Sequence, residues 1–149
     1  MRTPANGGAA RWGTTDERGE YLRKRGNEFG TVTGRPRRCG WYGAVAVRYA
    51  VRLNGAEAVA LTKLDVLDTL DEIPVGVGYR HRGRVSTAFP SSLETLAGVE
   101  PVYETLPGWK SETRGVLEFE ALPLAARRYV EFLEQKSWTG VSILSTGPR

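Results

Sequence analysis

Residues 58–65 read AVALTKLD, an apolar run that gives way to a lysine and an aspartate. A short apolar run that ends in polar residues is typical of a buried strand entering a loop. Open α/β sheets bind ligands beyond the carboxyl ends of their strands, so Lys63 and Asp65 are candidates for a ligand site. The same change recurs over 141–147, where VSIL runs directly into Ser-Thr-Gly. The sequence therefore predicts two strand ends that carry polar groups.

Helical periodicity lies on either side of these strands. Trp41, Val45, Tyr49 and Leu53 recur every fourth residue, and Gly55 is a suitable helix stop. We expect Trp41 and Tyr49 to pack in the core. A second apolar stripe at helical spacing is formed by Leu124, Ala125, Arg128, Tyr129, Phe132 and Leu133.

The middle of the chain predicts further short elements. Residues 75–79 and 84–87 flank a turn at Arg80–Gly83, which is the pattern of a hairpin. A short helix is expected from Ser91 and an extended segment over 101–105. Strands that alternate with helices favour an α/β or α+β layered fold.

Length and composition exclude several classes of protein. The 149 residues are 40% hydrophobic and 26% charged, which suits one globular domain. The single cysteine, Cys39, excludes a disulfide framework within the chain and fits a reducing cytoplasm. No apolar run approaches the ~18 to 20 residues that cross a bilayer, so no membrane association is expected. Residues 1–15 show little periodicity, and we interpret them as a loose arm.

The charge balance indicates an anionic partner without naming it. The formal net charge is +4, and arginines cluster over 23–25, 35–38 and 80–84. A modest and clustered excess of this kind suits small phosphates as well as nucleic acid. Charge alone leaves both open.

The two polar strand ends have the chemistry to bind guanine. A carboxylate such as that of Asp65 can accept two parallel hydrogen bonds from the N–H and NH₂ edge of guanine, which adenine lacks. The methylene stem of Lys63 can lie along a base, and the backbone amides of Ser145–Gly147 can meet a carbonyl oxygen such as guanine O6. The alternatives are an ion-paired strand end at Lys63 and Asp65, and a plain turn at Ser145–Gly147.

The loop over residues 31–38 reads TVTGRPRR and is the densest group of candidate binding residues. Arginine presents a planar fork that matches carboxylates and phosphates, so such a loop can hold a dicarboxylate together with a phosphate. Gly34-Arg35-Pro36 also resembles the core of the AT-hook, a segment that binds the minor groove of DNA. A solvated basic loop is the third alternative. Cys39 follows these arginines, and nearby positive charge predicts a lowered thiol pKa.

Four segments together resemble the C-terminal region of adenylosuccinate synthetase. They read GEYLRKRGNEFGTVTGRPRRCGW, LTKLDVLD, EPVYETLPGW and LSTGP, and they occur in the order and spacing of that family. The resemblance covers Asp16 to Pro148 and leaves residues 1–15 unmatched. It implies the C-terminal portion of the family's α/β fold, with short strands and helices around a mixed sheet. The family is a GTP-dependent ligase of purine nucleotide biosynthesis that joins L-aspartate to inosine monophosphate (IMP).

The resemblance also implies roles for individual residues. The loop that binds aspartate would comprise Thr31, Val32, Thr33, Gly34, Arg35, Pro36 and Arg37. Within it, Arg35 would also contact IMP and Arg37 would reach GTP. The guanine site would be formed by Lys63, Leu64, Asp65, Ser145, Thr146 and Gly147.

Some features depart from the family pattern. Val32 stands where the family usually has a hydroxyl residue. Gly43 stands where an Asp usually follows the Gly-Trp-aromatic motif. The sequence contains no Gly-x-x-x-x-Gly-Lys-Ser/Thr loop. By resemblance, the phosphate-binding loop, the catalytic Asp and His and the Mg²⁺ ligands belong to an N-terminal part that this sequence does not match.

These departures limit the activity that we expect. No catalytic residue and no metal ligand is assigned in this chain, and the chain alone is expected to be inactive. A homodimer, or association with a separate N-terminal half, would fit the family. The alternative is a non-catalytic remnant that binds nucleotide or a protein partner. Nucleic-acid binding is disfavoured, because acidic residues are interspersed among the basic ones.

Overall fold

The computed structural model describes residues 17–90 and 92–147. The predicted arm at residues 1–15 lies outside these ranges. The helices and strands, in chain order, are α1 (Glu17–Arg25), β1 (Tyr42–Gly43), α2 (Ala44–Asn54), β2 (Ala58–Leu61), β3 (Glu72–His81), β4 (Arg84–Ser86), α3 (Leu93–Gly98), β5 (Glu100–Pro107), α4 (Leu124–Ser137) and β6 (Gly140–Leu144). Within these ranges, no helix is both long enough and apolar enough to cross a bilayer.

The central sheet is mixed and is organised around β3. Strand β1 pairs with β3 in parallel, whereas β4 and β5 pair with it antiparallel. The β3–β4 hairpin turns at Arg82 and Gly83, both of which have positive φ. The pattern of apolar residues around a basic turn predicted this hairpin, and its position is confirmed. The α/β class and the mixed sheet are therefore as expected.

A separate two-stranded sheet positions the polar strand ends. Strands β2 and β6 pair in parallel, with Ala58 opposite Gly140 and Leu61 opposite Leu144. Helix α4 leads directly into β6, and the Glu134 carboxylate accepts a hydrogen bond of 2.7 Å from the Val141 amide. Because the pairing is parallel, the carboxyl ends of both strands lie at the same edge.

Helix α4 supplies much of the main core. Its residues Ala126, Tyr129, Val130 and Leu133 are buried on one face. The helix itself is confirmed, but only Tyr129 and Leu133 of the predicted stripe are buried, and Leu124 and Arg128 are exposed, because the buried face is rotated from the predicted one. They join a larger buried cluster that includes Leu22, Trp41, Ala44, Leu64, Val66, Ile73, Val75, Trp109 and Leu122. Leu64 and Val66, beside the candidate strand end, therefore belong to the largest buried cluster of the described residues.

The first predicted helix is displaced from its expected position. It begins at Ala44 and not at Trp41, because Tyr42 and Gly43 extend to pair with β3. Gly43 precedes the helix without a side-chain cap, at the position where the resemblance led us to expect an Asp.

The buried face of α2 also differs from the expectation. Val47 and Val51 are buried, whereas Tyr49 is 43% and Leu53 is 68% exposed. Tyr49 stacks on Phe89 with ring centroids 4.6 Å apart, so it packs at the surface and not in the core. The expectation of a core Tyr49 was wrong, because the four-residue spacing fits more than one face of so short a helix.

Candidate functional site

The ends of β2 and β6 are joined by two backbone hydrogen bonds. The Ser145 amide donates to the Leu61 carbonyl over 2.8 Å, and the Leu64 amide donates to the Ser145 carbonyl over 3.0 Å. The two segments that were far apart in sequence thus lie side by side. Because the Ser145 amide is already engaged, only the amides of Thr146 and Gly147 are left to meet a ligand carbonyl from this segment.

Gly147 approaches Asp65 so closely that only glycine fits there. Its φ is +101°, and a Cβ at this position would lie 2.5 Å from Oδ2 of Asp65 and 2.7 Å from Cγ. Contacts of this length are sterically forbidden. The glycine therefore lets the backbone of one segment touch the carboxylate of the other, which is the close approach expected of a shared binding surface.

Asp65 is a buried carboxylate, and one of its oxygens accepts no hydrogen bond from the part of the chain that the structure describes. The residue is 7% exposed. Oδ2 lies 3.3 Å from the Arg114 guanidinium, whereas Oδ1 is buried and has no hydrogen-bond partner among the described residues. A buried acceptor without a partner is costly and calls for an explanation, and a ligand donor is one such explanation.

Lys63 lies in a strained backbone conformation at the end of β2. Its φ is +64°, in the left-handed region that non-glycine residues rarely adopt. The ammonium donates to the Gly26 carbonyl over 2.5 Å and forms an ion pair with Glu28. Strain of this kind concentrates at functional sites, and here it turns the lysine towards the loop that follows α1.

The arginine-rich loop has an ordered base and an exposed tip. Its base is a bridge between Phe29 and Pro36, and the Arg37 amide donates to the Glu28 carbonyl over 3.0 Å. At the tip, Val32 is 95% exposed. The candidate residues Thr31, Thr33, Gly34, Arg35 and Pro36 are exposed as well. Arg37 is the half-buried member, with its guanidinium 3.3 Å from Glu28.

The base of this loop and Lys63 line a hollow that is open to solvent. Its volume is about 360 Å³, and it is lined by Asn27, Glu28, Phe29, Gly30, Thr31, Arg37 and Lys63. Two of the cations assigned to GTP by resemblance thus border one hollow. Among the described residues, no group of three or more His, Cys, Asp or Glu side chains is placed to hold a metal ion.

Glu28 was not identified from the sequence, yet it contacts both of these cations. Burial tends to raise its pKa, but the hydrogen bond and charge of Lys63, together with Arg37, outweigh burial and lower the pKa below its usual value. The sequence held one signal, a single acidic residue directly before a basic loop, but spacing alone did not show which cations it would meet.

The thiol of Cys39 behaves differently from the expectation. Burial, followed by the nearby Glu28 carboxylate, raises its pKa, and Arg23, Lys63 and Arg37 only partly oppose this. The expectation of a lowered pKa was wrong, because the adjacent arginines are offset by desolvation and by Glu28.

A buried network holds Arg114 beside Asp65. The Asp68 carboxylate is 3% exposed. It accepts hydrogen bonds from the Trp109 indole over 2.7 Å, the Thr113 amide over 2.9 Å and the Thr113 hydroxyl over 2.8 Å. Because Arg114 follows Thr113 directly, this network fixes the loop that carries it. Asp68 and Arg114 were not identified from the sequence, since no local pattern links positions that far apart.

Comparisons with known proteins show the family of the chain. The sequence model of the adenylosuccinate synthetase family matches residues 4–149 and so begins within the predicted arm. The adenylosuccinate synthetase of Heliobacterium modesticaldum is 54% identical over 133 residues, which is 89% of this chain and 31% of the relative. That of Nitrosomonas europaea is 48% identical over 136 residues, or 90% of this chain and 32% of the relative.

The fold is likewise similar to a solved structure. The fully ligated adenylosuccinate synthetase from Plasmodium falciparum superposes with a TM-score of 0.86 at 35% identity, covering 92% of this chain and 33% of that one. The chain thus spans about a third of the length of the relatives that it matches. On this match of nearly its whole length, the chain belongs to the adenylosuccinate synthetase family.

Proposed function

We propose that this chain supplies the guanine-, aspartate- and IMP-recognising portion of a GTP-dependent adenylosuccinate synthetase. The observation that carries the proposal is the buried Asp65 carboxylate. It lies against Gly147 at the joined strand ends, and its Oδ1 is unpartnered among the described residues. Lys63, Leu64, Asp65, Ser145, Thr146 and Gly147 are proposed to form the guanine site. The cytoplasm is the proposed location, as for the ligase family.

In this proposal, Asp65 accepts from the N–H and NH₂ edge of guanine. The amides of Thr146 and Gly147 donate to O6, because the Ser145 amide is occupied by Leu61. Adenine carries an amino group in place of O6 and lacks the N–H donor. The site is therefore proposed to discriminate against adenine because adenine would leave hydrogen-bonding groups of the site unpaired. Unpaired buried groups reject a wrong base more strongly than a difference in shape does.

Arg114 shares the Asp65 carboxylate with the proposed ligand. The Arg114 side chain is 55% exposed, whereas that of Asp65 is only 10% exposed, so the carboxylate needs a donor if Arg114 leaves. The N–H and NH₂ donors of a base would provide that replacement. Arg114 can equally remain, since each carboxylate oxygen accepts more than one hydrogen bond.

The loop is proposed to bind the two smaller substrates. Thr31–Arg37 would bind aspartate, Arg35 would contact IMP, and Arg37 would reach the phosphates of GTP. Support comes from the ordered base and exposed tip, which leave the hydroxyls and Arg35 accessible. When bound, Mg²⁺ neutralises charge on the transferring phosphoryl group, and we assign it no ligand among the described residues.

We propose that the rest of the family's length, in the same protein or in a partner, completes the enzyme. Parallel strands are ordinarily covered on both faces, yet Ile143 on β6 is 61% exposed. This supports a contact surface on the β2–β6 sheet for the remaining two-thirds of the family's length. A homodimer would also fit the family and belongs to this first proposal. The second proposal is a non-catalytic remnant that binds only nucleotide or a partner.

Catalysis distinguishes the two proposals. We expect the purified chain alone to form no adenylosuccinate from IMP, aspartate, GTP and Mg²⁺, because recognition without phosphate and metal groups cannot lower the barrier. Activity should appear when a polypeptide covering the remaining two-thirds of a relative is added. Product formation by the chain alone would contradict the assignment, and a remnant would give none in either experiment.

Gly147→Ala tests whether the close approach matters. The substitution strains a positive-φ backbone by about 1 to 2 kcal/mol and drives a methyl group into Asp65. We expect guanine nucleotides to bind at least about tenfold more weakly, by competition against a fluorescent GDP. Gly55→Ala is the matched control, because its φ is +58° and a Cβ would meet nothing within 4 Å. Equal loss of binding in both variants would show that strain alone is responsible.

A further inference from the structure

One carboxylate lies between the two halves of the proposed site. The Glu28 side chain contacts Lys63 through Oε1 and Arg37 through Oε2. Lys63 belongs to the end of β2, whereas Arg37 closes the arginine-rich loop. The two cations come from segments far apart in sequence, and Glu28 is the contact that the structure shows between them.

The backbone of Glu28 reinforces the same connection. Its carbonyl accepts from the Arg37 amide over 3.0 Å, and the Arg37 carbonyl accepts from the Arg23 guanidinium over 2.8 Å. The amide of Arg37 is therefore tied to the base of the loop, and its carbonyl is tied to helix α1. The ammonium of Lys63 is tied to the same segment through the Gly26 carbonyl.

The ion pair between Glu28 and Arg37 is better shielded than an ordinary surface pair, whereas Lys63 is 45% exposed. The side chains of Glu28 and Arg37 are 27% and 29% exposed. Partial burial reduces screening by solvent and salt, so a pair of this kind holds its geometry better than an exposed one. A carboxylate that meets two cations at once also fixes the distance between them.

We propose that Glu28 is a positioning residue that couples the Arg37 end of the loop to Lys63 at the strand end, so that the loop and the guanine box act as one unit. This deepens the proposed function and rests on it. By linkage, a ligand that orders Lys63 and the strand end also orders the loop, and loss of Glu28 separates the two. Glu28 does not itself contact substrate in this proposal.

Trypsin provides a direct test of the coupling. Cleavage after Arg37 requires its guanidinium to leave Glu28 and enter the acidic pocket of the protease. Cleavage after the neighbouring exposed Arg38 does not require the Arg37 guanidinium to leave Glu28. We expect Glu28→Gln to raise the rate of cleavage after Arg37 about three- to tenfold relative to that after Arg38, measured by mass spectrometry. Glu20→Gln is the matched control, because Glu20 pairs with Lys24 on the exposed face of α1.

The single cysteine provides a second readout in the same variants. Burial raises the pKa of Cys39, and among the charged groups that act on it, which are Glu28, Arg23, Lys63 and Arg37, Glu28 is the one that raises the pKa further. Removing that charge should shift the pH profile of Cys39 alkylation to lower pH in Glu28→Gln. The profile should be unchanged in Glu20→Gln. General unfolding would instead speed cleavage after both arginines.

Guanosine separates this inference from the proposed function, because it has no phosphates that could contact Arg37 directly. In the wild type, saturating guanosine should slow cleavage after Arg37, and in Glu28→Gln the protection should be lost. If both proteins are protected equally, or if Glu28→Gln is cleaved like the wild type without ligand, the coupling is refuted. If guanosine protects neither protein, guanine binding fails, while the comparison without ligand still decides the role of Glu28.

Discussion

Asp68→Ala should destabilise the chain by about 3 to 5 kcal/mol. The carboxylate is the acceptor for the Trp109 indole, the Thr113 amide and the Thr113 hydroxyl, and Asp68 and Thr113 are almost fully buried. Truncation leaves these donors without an acceptor in a place where water enters poorly. Urea unfolding should show a large fall in the midpoint with an unchanged slope.

The same substitution should also affect the candidate site. Arg114 follows Thr113, so loosening the loop also releases the guanidinium from Asp65. Asp68→Asn is the control, because the amide keeps one acceptor oxygen and the shape of the side chain. We expect it to lose less stability than Asp68→Ala. A loss below about 1 kcal/mol for Asp68→Ala would mean that water replaces the carboxylate and that the network is not a structural anchor.

The sequence predicted the helices and strands whose apolar residues follow a clear pattern. Helix α4 and strands β2 and β6 were found because apolar residues recur at helical spacing, or end abruptly in polar residues. Helix α1 was missed, because among its nine residues only Gly19 and Leu22 are buried. Two buried positions do not establish a period, and the packing that stabilises α1 comes from distant parts of the chain.

The candidate site was predictable only where its residues directly follow a strand. Lys63 and Asp65 follow one strand and Ser145–Gly147 follow another, so the rule for parallel strand ends predicts that they meet. Glu28, Asp68 and Arg114 reach the site through tertiary contacts that no local pattern encodes. Their contribution is to hold neighbouring groups in place, and that depends on burial and on distances fixed only by the fold.

The base specificity of the proposed site depends most on Asp65. In Asp65→Asn, one acceptor oxygen becomes an NH₂ donor that faces the donors of guanine. A hydrogen bond is lost and two donors are brought together, which should cost about 2 to 4 kcal/mol for a buried carboxylate. Xanthine carries an oxygen where guanine carries its 2-amino group, so it can accept from the new amide.

We therefore expect Asp65→Asn to change the ratio of guanine to xanthine nucleotide affinity by about 30-fold or more. Competition between GDP and xanthosine diphosphate is the appropriate measurement, because a ratio is independent of how tightly this portion binds phosphates. Arg114→Ala is the matched control: it removes the ion pair with Asp65 but leaves both carboxylate oxygens. Its ratio should remain close to that of the wild type. If Asp65→Asn and the wild type give the same ratio, Asp65 does not contact the base, and the strand end carries only the ion pair with Arg114.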